Sequence, residues 1–375
     1  MPRWLCAGHK SAQSTIPENA LLKTKANRPD MKYHKQHIAL ATTAVIIVAA
    51  ILLPKIWAVE HQTDFTRPLA AAETAPSATR AASAAVPAAA AASPPATLLN
   101  RADLFLRYAD PYQLYLRSGS AEVIDARDGT VLYAKDDDVQ RPIASLTKLM
   151  TAMVILDAHL PMDRLITIRR ADRDTFRGSS SRLPFGTVLT RYDTLHVALA
   201  ASDNRAAAAL ARTFPGGKAA FVQAMNAKAQ ALGMTNTRYV DSTGLYNGDV
   251  STAADIAKLI RAAGGYPLLH KFTTTELFSV SNRRTGHIIR FRNTDLLVGN
   301  RSWKIQLSKT GYTSNAGQCL AMETMIANRP VIIVLMDGWG WEARFADARR
   351  VRRWILSTDR RIPDYFNERL ASARS

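Results

Sequence analysis

The chain has 375 residues, of which 47% are hydrophobic and 21% charged, a composition that suits one or two globular domains with a buried core. Its formal net charge of +18 favours an anionic partner, either a nucleic acid or a polymer with free carboxylates. The basic residues are scattered, and no aromatic-rich basic motif accompanies them, which disfavours nucleic acid. The histidines lack metal-ligand spacing, so no metal site is predicted and His196 is expected to be a packing residue.

The first part of the chain is predicted to be an export leader, residues 1–58. An apolar run, 38–53, is shorter than the roughly 20 residues that span a bilayer, and it suits the core of a signal peptide cleaved after Ala58. An uncleaved membrane anchor is the alternative, and Met31 is expected to be the true start. In either case the rest of the chain is exported, so Cys6 and Cys319 are predicted to lie in different compartments and to form no disulfide.

An Ala- and Pro-rich linker is predicted over residues 59–99, because no amphipathic stripe runs through it. A folded domain, 100–358, and a C-terminal tail, 359–375, follow. The domain is predicted to open with a β-hairpin that turns at Asp128-Gly129. Later helices are predicted at 192–213 (with a break at 202–204), 218–232, 251–263 and 345–355. Strands are predicted at 276–280, 287–291, 303–308, 318–326 and 331–336.

The first chemical motif is Ser145-Leu-Thr-Lys148, where a helix is predicted to begin at Ser145. Residues three apart lie on one face of a helical turn, so the hydroxyl and the amine should meet. A serine needs a base to become a nucleophile, and a lysine can serve when burial or a nearby cation favours its neutral form. A helix cap followed by a surface lysine would give the same pattern, so this motif alone decides nothing.

Two further motifs follow in order: Ser202-Asp203-Asn204, at the helix break, and Lys309-Thr310-Gly311, at the end of a predicted strand. This trio is typical of penicillin-binding proteins and class A β-lactamases. The sequence resembles the penicillin-binding serine D,D-peptidases over about residues 112–354, and within them the D-alanyl-D-alanine endopeptidases of the penicillin-binding protein 7 type. Further stretches that carry the resemblance are Met225-Asn-Ala-Lys-Ala and Phe291-Arg-Asn-Thr.

Strands at both ends of the domain with helices between them predict an α+β fold in which one sheet is assembled from both termini. The resemblance implies the β-lactamase/penicillin-binding transpeptidase-like fold, an antiparallel sheet flanked by helices with a helical cluster. The carboxypeptidases of this family usually carry another β domain after the third motif. The roughly sixty residues after Lys309 do not suffice for one, which favours the endopeptidases.

The resemblance also implies roles for the first two motifs, in acyl transfer through a serine ester. Ser145 is expected to attack the carbonyl of a D-alanine, and Lys148 to take its proton. Ser202 is expected to bridge Lys148 and the leaving amine. Asn204 should hold the backbone amide of the substrate, and Asp203 is expected to be structural.

In the third motif, Lys309 and Thr310 are expected to bind the negative end of the substrate. Gly311 is expected to let the substrate strand come close. The oxyanion hole is predicted to be formed by the backbone N–H groups of Ser145 and Tyr312. No cofactor is expected; the implied partners are peptidoglycan peptides and β-lactams, the latter as covalent inhibitors, with membrane association through the leader left open.

The function predicted is hydrolysis of D-alanyl–diaminopimelate cross-links in the periplasm, and the alternative is removal of the terminal D-alanine from pentapeptide stems. A β-lactamase is disfavoured, because class A enzymes need a Glu between the second and third motifs to position water, and here only Glu276 lies there, in a predicted strand. An inactive wall-binding protein is a further alternative, disfavoured by the intact motifs.

Overall fold

The computed structural model describes residues 101–363. The predicted leader, anchor alternative and linker, together with Cys6 and most of the predicted tail, lie outside these residues, and the domain boundaries at 58, 99 and 358 stay predictions. None of the helices within 101–363 combines the length and the apolar character of a bilayer-spanning segment.

The α-helices of this part connect two groups of strands. They are α1 (Arg101–Tyr108), α2 (Thr147–Asp157), α3 (Arg191–Ala200), α4 (Asn204–Arg212), α5 (Gly217–Ala231), α6 (Ala253–Ala263), α7 (Pro267–Thr273) and α8 (Ala343–Asp359). The strands are β1 (Ser118–Asp125), β2 (Val131–Lys135), β3 (Arg141–Pro142), β4 (Leu165–Thr167), β5 (Val188–Thr190), β6 (Val250–Ser251), β7 (Leu277–Ser281), β8 (Ile288–Arg292), β9 (Lys304–Thr313), β10 (Gly317–Ile326) and β11 (Arg329–Gly338).

Five strands form the main sheet in the order β2-β1-β11-β10-β9, with every neighbouring pair antiparallel. The sheet therefore joins the first strands of the domain to the last ones, as predicted. β11 lies at its centre and is apolar on both faces, because helices cover both sides. β9 lies at the end of the sheet and keeps one edge unpaired by the sheet.

Each face of the sheet has its own hydrophobic core. On one side α1 and α8 pack together, where the rings of Phe105 and Trp354 meet edge to face at 5.2 Å. On the other side lies the helical cluster of α2 to α7. The antiparallel sheet between helices confirms the predicted α+β class.

The elements differ from the predictions in a few places. The strands predicted at 276–280 and 287–291 exist as β7 and β8, shifted by one residue, but they form a separate hairpin rather than part of the main sheet. Helix α7 was not predicted, because it is only seven residues long and begins at Pro267. The ring of His196 stacks between Phe272 and Phe278, which accounts for it as a packing residue.

Candidate active site

A short 3-10 turn, Ala144–Leu146, presents Ser145 at the entrance to α2. The helix proper begins at Thr147, two residues later than predicted. Ala144 has a left-handed backbone with φ of 47°. A non-glycine residue adopts this conformation only when its surroundings impose it, and such positions are concentrated at functional sites. Here the segment that contains Gly244 packs directly against Ala144, so closely that a Cβ at Gly244 would overlap the Ala144 carbonyl.

The amine of Lys148 is buried beside Ser145 and has three hydrogen-bond partners. Its Nζ donates to Ser145 Oγ at 2.8 Å, to Asn204 Oδ1 at 2.7 Å and to the Thr243 carbonyl at 2.7 Å. An ammonium has three protons to donate, so all three are satisfied here. The first and second motifs therefore meet at this nitrogen.

The three partners of Lys148 differ in whether they can give a proton to its neutral amine. The amide oxygen of Asn204 and the carbonyl of Thr243 can only accept, so they occupy the two protons of a neutral amine. The lone pair that remains can accept a proton only from the hydroxyl of Ser145. The arrangement thus pairs the amine with the serine hydroxyl in the geometry that a general base requires.

Burial shapes the protonation of this lysine. It lowers the pKa of Lys148 from 10.5 to about 8, while the carboxylates of Asp241, Asp203 and Asp249 act in the opposite direction. Burial also lowers the pKa of Lys309 well below its usual value, and the charges of Lys148 and Arg344 add to that effect. The charge of Lys148 thus acts on the pKa of Lys309, whereas the pKa of Lys148 itself is lowered by burial.

Ser202 lies in the junction between α3 and α4, again with a left-handed backbone, at φ of 55°. Its hydroxyl accepts a hydrogen bond from Lys309 Nζ at 2.9 Å. Among the hydrogen bonds within residues 101–363, none joins Ser202 to Lys148, although the sequence predicted that Ser202 bridges Lys148 and the leaving group. The second motif is therefore connected to the third through Ser202 and to the first through Asn204.

The rest of the second motif starts α4. Asp203 is its N-cap: its side chain accepts from the Ala206 N–H at 3.0 Å and from the Ser181 hydroxyl at 2.7 Å. This capping agrees with the structural role expected for Asp203. Asn204 donates its Nδ2 to Ser179 Oγ at 2.8 Å, so its amide is oriented from both ends before any substrate binds.

The third motif lies within β9 rather than at the end of the predicted strand, and it faces the turn that holds Ser145. Lys309 Nζ also donates to the Thr310 carbonyl at 2.8 Å, and the hydroxyls of Thr310 and Thr294 share a hydrogen bond of 2.6 Å. A Cβ added at Gly311 would lie 3.1 Å from the Ser145 nitrogen. Gly311 is thus needed for the packing of β9 on the serine turn, a reason that the sequence did not reveal.

Tyr312 follows Gly311 on β9 with its side chain 60% exposed. It is the residue after Gly311, which packs against the serine turn. The sequence-predicted residues are therefore gathered from three elements: the 3-10 turn with α2, the α3–α4 junction, and β9.

Residues 240–249 form a wall of the site, which contacts both Lys148 and the serine turn. Thr243 contributes a backbone carbonyl, which has no side-chain signal in the sequence. Asp249 is buried and joins the wall to the serine helix: its carboxylate accepts from Thr147 Oγ1 at 3.0 Å and from the Val240 N–H at 2.6 Å. Its carbonyl accepts from the Ile143 N–H at 3.1 Å. Burial and the neighbouring Asp241 raise the pKa of Asp249 well above its usual range.

Within the part of the chain that the structure covers, His, Cys, Asp and Glu side chains nowhere cluster as a metal site would require. Cys319 is buried there as a free thiol.

A family profile described as D-alanyl-D-alanine carboxypeptidase matches residues 108–339, the span that holds all three motifs. The chain belongs to this family. A D-alanyl-D-alanine endopeptidase of Pseudomonas aeruginosa is 51% identical over 245 residues, which cover 65% of this chain and 79% of the relative. One of Escherichia coli is 47% identical over 240 residues, 64% of this chain and 77% of the relative.

Solved structures of the family share the fold. The DD-transpeptidase of Streptomyces K15 is 25% identical with a TM-score of 0.60, and the match covers 65% of this chain and 98% of that one. Penicillin-binding protein D2 of Listeria monocytogenes, in its ampicillin-bound form, is 28% identical with a TM-score of 0.56, over 65% of this chain and 98% of that one. The predicted family, fold class and class of enzyme, a serine-type D-Ala-D-Ala hydrolase, are confirmed.

Proposed function

We propose that this D,D-peptidase hydrolyses D-alanyl–diaminopimelate cross-links of peptidoglycan through an acyl-serine intermediate. The observation that carries the acyl-serine chemistry is the bonding of Lys148, whose only proton-donating partner in the neutral state is the Ser145 hydroxyl. The choice of cross-links as substrate is supported by the relatives at 51% and 47% identity, both named endopeptidases.

In the first step Ser145 Oγ attacks the carbonyl carbon of the D-alanine, and its proton moves to Lys148 Nζ across the 2.8 Å hydrogen bond. Asn204 Oδ1 and the Thr243 carbonyl then accept from the ammonium that forms, so they stabilise the charge as it develops. The oxygen–carbon bond to Ser145 is formed while the peptide C–N bond breaks.

The leaving amine takes up a proton as it departs. Ser202 is the proposed donor, and Lys309 holds its hydroxyl at 2.9 Å. Because no hydrogen bond joins Lys148 to Ser202 among the described residues, delivery of the Lys148 proton requires the Ser202 side chain to rotate toward Lys148. Water then attacks the ester, the Ser145–acyl bond breaks, and the serine recovers its proton.

The substrate strand is proposed to pair with the edge of β9 that the main sheet leaves unpaired. Lys309 and Thr310 bind the negative end of the substrate there. Gly311 keeps β9 against the serine turn, and this brings the N–H groups of Ser145 and Tyr312 together as the oxyanion hole. Pairing with a strand edge fixes the scissile carbonyl relative to these donors.

The same site is proposed to be acylated by β-lactams, and the protein to act in the periplasm. The structural likeness to a penicillin-binding protein in an ampicillin-bound form supports the first point. A β-lactamase stays disfavoured, because Glu276, which directly precedes β7, forms an ion pair with Arg292 at 3.5 Å. Removal of terminal D-alanine from pentapeptides remains the second candidate, since a D-alanyl-D-alanine carboxypeptidase of Escherichia coli is also a relative, at 32% identity.

The acylation rate should rise with pH. The base must be neutral, and with a Lys148 pKa of about 8 only about a tenth of it is neutral at pH 7. Between pH 6 and pH 8 the rate constant for penicillin acylation should therefore rise nearly in proportion to the neutral fraction and then level off, as measured by stopped-flow mixing. The Asp241→Asn variant lacks a charge that raises this pKa, so its midpoint should lie at lower pH. A rate that stays flat from pH 6 to 9 would contradict Lys148 as the base.

The substrate is tested by digestion. The chain and its Ser145→Ala variant are incubated with cross-linked muropeptide dimers and, separately, with monomeric pentapeptides, and the products are separated by chromatography. Conversion of dimers to monomers by the unaltered chain alone is the expected result. If only the terminal D-alanine of the pentapeptide were released, the protein would be a carboxypeptidase; no product from either substrate would refute both.

A further inference from the structure

A cavity of about 270 Å³ lies beside the reactive centre. Asn204 and Thr243, two of the three partners of Lys148, belong to its wall. Its floor is apolar and comes from Ala208 and Ala211 of α4 and Val222 of α5. Apart from those two residues and Asp241, whose charge acts on the pKa of Lys148, the mechanism proposed above uses nothing in this cavity.

Two of the three acidic residues that line the cavity already have hydrogen-bond donors within the protein. Asp172 is buried and receives two hydrogen bonds from the Arg212 guanidinium, at 2.7 and 2.9 Å. Asp174 accepts from three backbone N–H groups, those of Phe176, Arg177 and Ser179, and these hydrogen bonds lower its pKa although its slight burial alone would raise it. A ligand would gain little from either carboxylate.

The remaining charged groups of the lining keep unused bonding capacity. Asp241 accepts hydrogen bonds from Thr243 Oγ1 and the Gly244 N–H, and its carboxylate also shares a hydrogen bond with that of Asp249, which leaves one of its four lone pairs for a ligand. Lys218 donates only to the Ala171 carbonyl, at 3.1 Å, and retains two further protons. The guanidinium of Arg173 has no partner among residues 101–363.

These groups are separated by sign. Asp241 belongs to the wall that also carries the Thr243 carbonyl, next to Lys148. Lys218 donates to the carbonyl of Ala171, two residues before Arg173, so both cations belong to the part of the lining that includes residues 172–175. A lining that combines an acid next to the reactive centre, two cations and apolar side chains suits a ligand with an ammonium, a carboxylate and methylene groups.

The rim of the cavity is held in place by contacts that a flexible loop would lack. The rings of Phe176 and Tyr246 stack at 4.9 Å across it. Arg177 donates to the Leu245 carbonyl at 2.6 Å and to Asn315 Oδ1 at 3.0 Å. The cavity is thus formed before a substrate arrives, which reduces the ordering cost of binding.

We propose that this cavity binds the zwitterionic end of a diamino-acid side chain, that of the residue that precedes the D-alanine acylated on Ser145. Its ammonium contacts Asp241 and its carboxylate contacts Lys218 and Arg173. The inference rests on the proposed function, in which that residue is diaminopimelate. It adds that the enzyme binds the free ammonium and carboxylate at the end of this side chain.

The test is a binding measurement that needs no turnover. The full chain carrying Ser145→Ala is titrated calorimetrically with a stem peptide ending in diaminopimelyl-D-alanine. The same titration is made with the peptide whose free side-chain amine is acetylated and whose side-chain carboxyl is amidated. The unmodified peptide should bind about 10-fold more tightly, a preference worth about 1.4 kcal/mol.

Adding Lys218→Met to that protein should remove most of the preference. Lys304→Met, at the start of β9 and outside the lining of the cavity, is the matched control and should keep it. Equal binding of the two peptides, or a preference that Lys218→Met leaves intact, would overturn the inference. Since hydrolysis of dimers is measured separately, a cavity that does not discriminate can be told apart from an enzyme that does not cleave cross-links.

Discussion

Lys148→Ala should reduce the rate of Ser145 acylation by at least about 1,000-fold. Among residues 101–363, the amine of Lys148 is the only group that shares a hydrogen bond with Ser145 Oγ. Without it the hydroxyl would have to attack in its weakly nucleophilic neutral form. The measurement is the time course of covalent labelling by a fluorescent penicillin.

The fold should survive this change at a moderate cost. The substitution leaves two buried acceptors, on Asn204 and Thr243, without their donor, at about 1–3 kcal/mol each unless water enters the space. Lys135→Ala is the matched control, because Lys135 Nζ also donates to two backbone carbonyls, those of Leu116 and Ser118, at 3.2 and 2.7 Å. That variant should be labelled at the normal rate. Normal labelling of Lys148→Ala would show that another group is the base.

Gly244→Ala should eliminate labelling and lower the melting temperature as well. Gly244 has φ of +79°, which disfavours a side chain, and the new methyl group would overlap the carbonyl of Ala144 and approach Thr147 Oγ1 to 2.9 Å. Ala144 and Thr147 lie on either side of Ser145 in the chain. Relief of the overlap therefore has to move the serine turn away from the wall. We expect a loss of acylation of at least about 100-fold, because displacements near 1 Å at a reacting group cost that much.

A matched glycine separates the two causes. Gly286 has φ of +73°, but a Cβ there meets nothing within 4 Å, so Gly286→Ala carries the backbone strain without the overlap. It should lose about 1–2 kcal/mol of stability and keep its acylation rate. If Gly244→Ala matched Gly286→Ala in both measurements, close packing of the wall on the serine turn would not be what positions Ser145.

The sequence predicts those parts of the site that depend on side-chain chemistry at fixed spacing. Ser145 and Lys148 meet because three-residue spacing places them on one face of a turn. The break at 202–204 follows from Asp203, whose side chain caps a helix better than it continues one. The strands of the main sheet are also recognisable, because a strand covered by helices on both faces reads as an apolar run.

Other parts of the site have no such signal. The Thr243 carbonyl belongs to the backbone, and any residue there would supply it. The bond from Lys309 to Ser202 depends on how β9 and the α3–α4 junction approach each other, which no local pattern records. The same holds for the packing of Gly311 on the serine turn. Likewise the separation of β7 and β8 from the main sheet is decided by tertiary packing, since their alternation would suit either arrangement.

The pairing of β1 with β11 determines at what stage of synthesis the domain can fold. The two strands form the middle of the sheet, and the buried ion pair between Asp125 and Arg329, at 2.6 Å, joins residues 204 positions apart. Pairings over such sequence distances make folding slow, because a long loop has to close before they contribute. β9 is connected to β1 only through β10 and β11, so a chain cut short before β11 has the catalytic motifs but no sheet to hold them together. We therefore expect a chain that ends before β11 to lack activity.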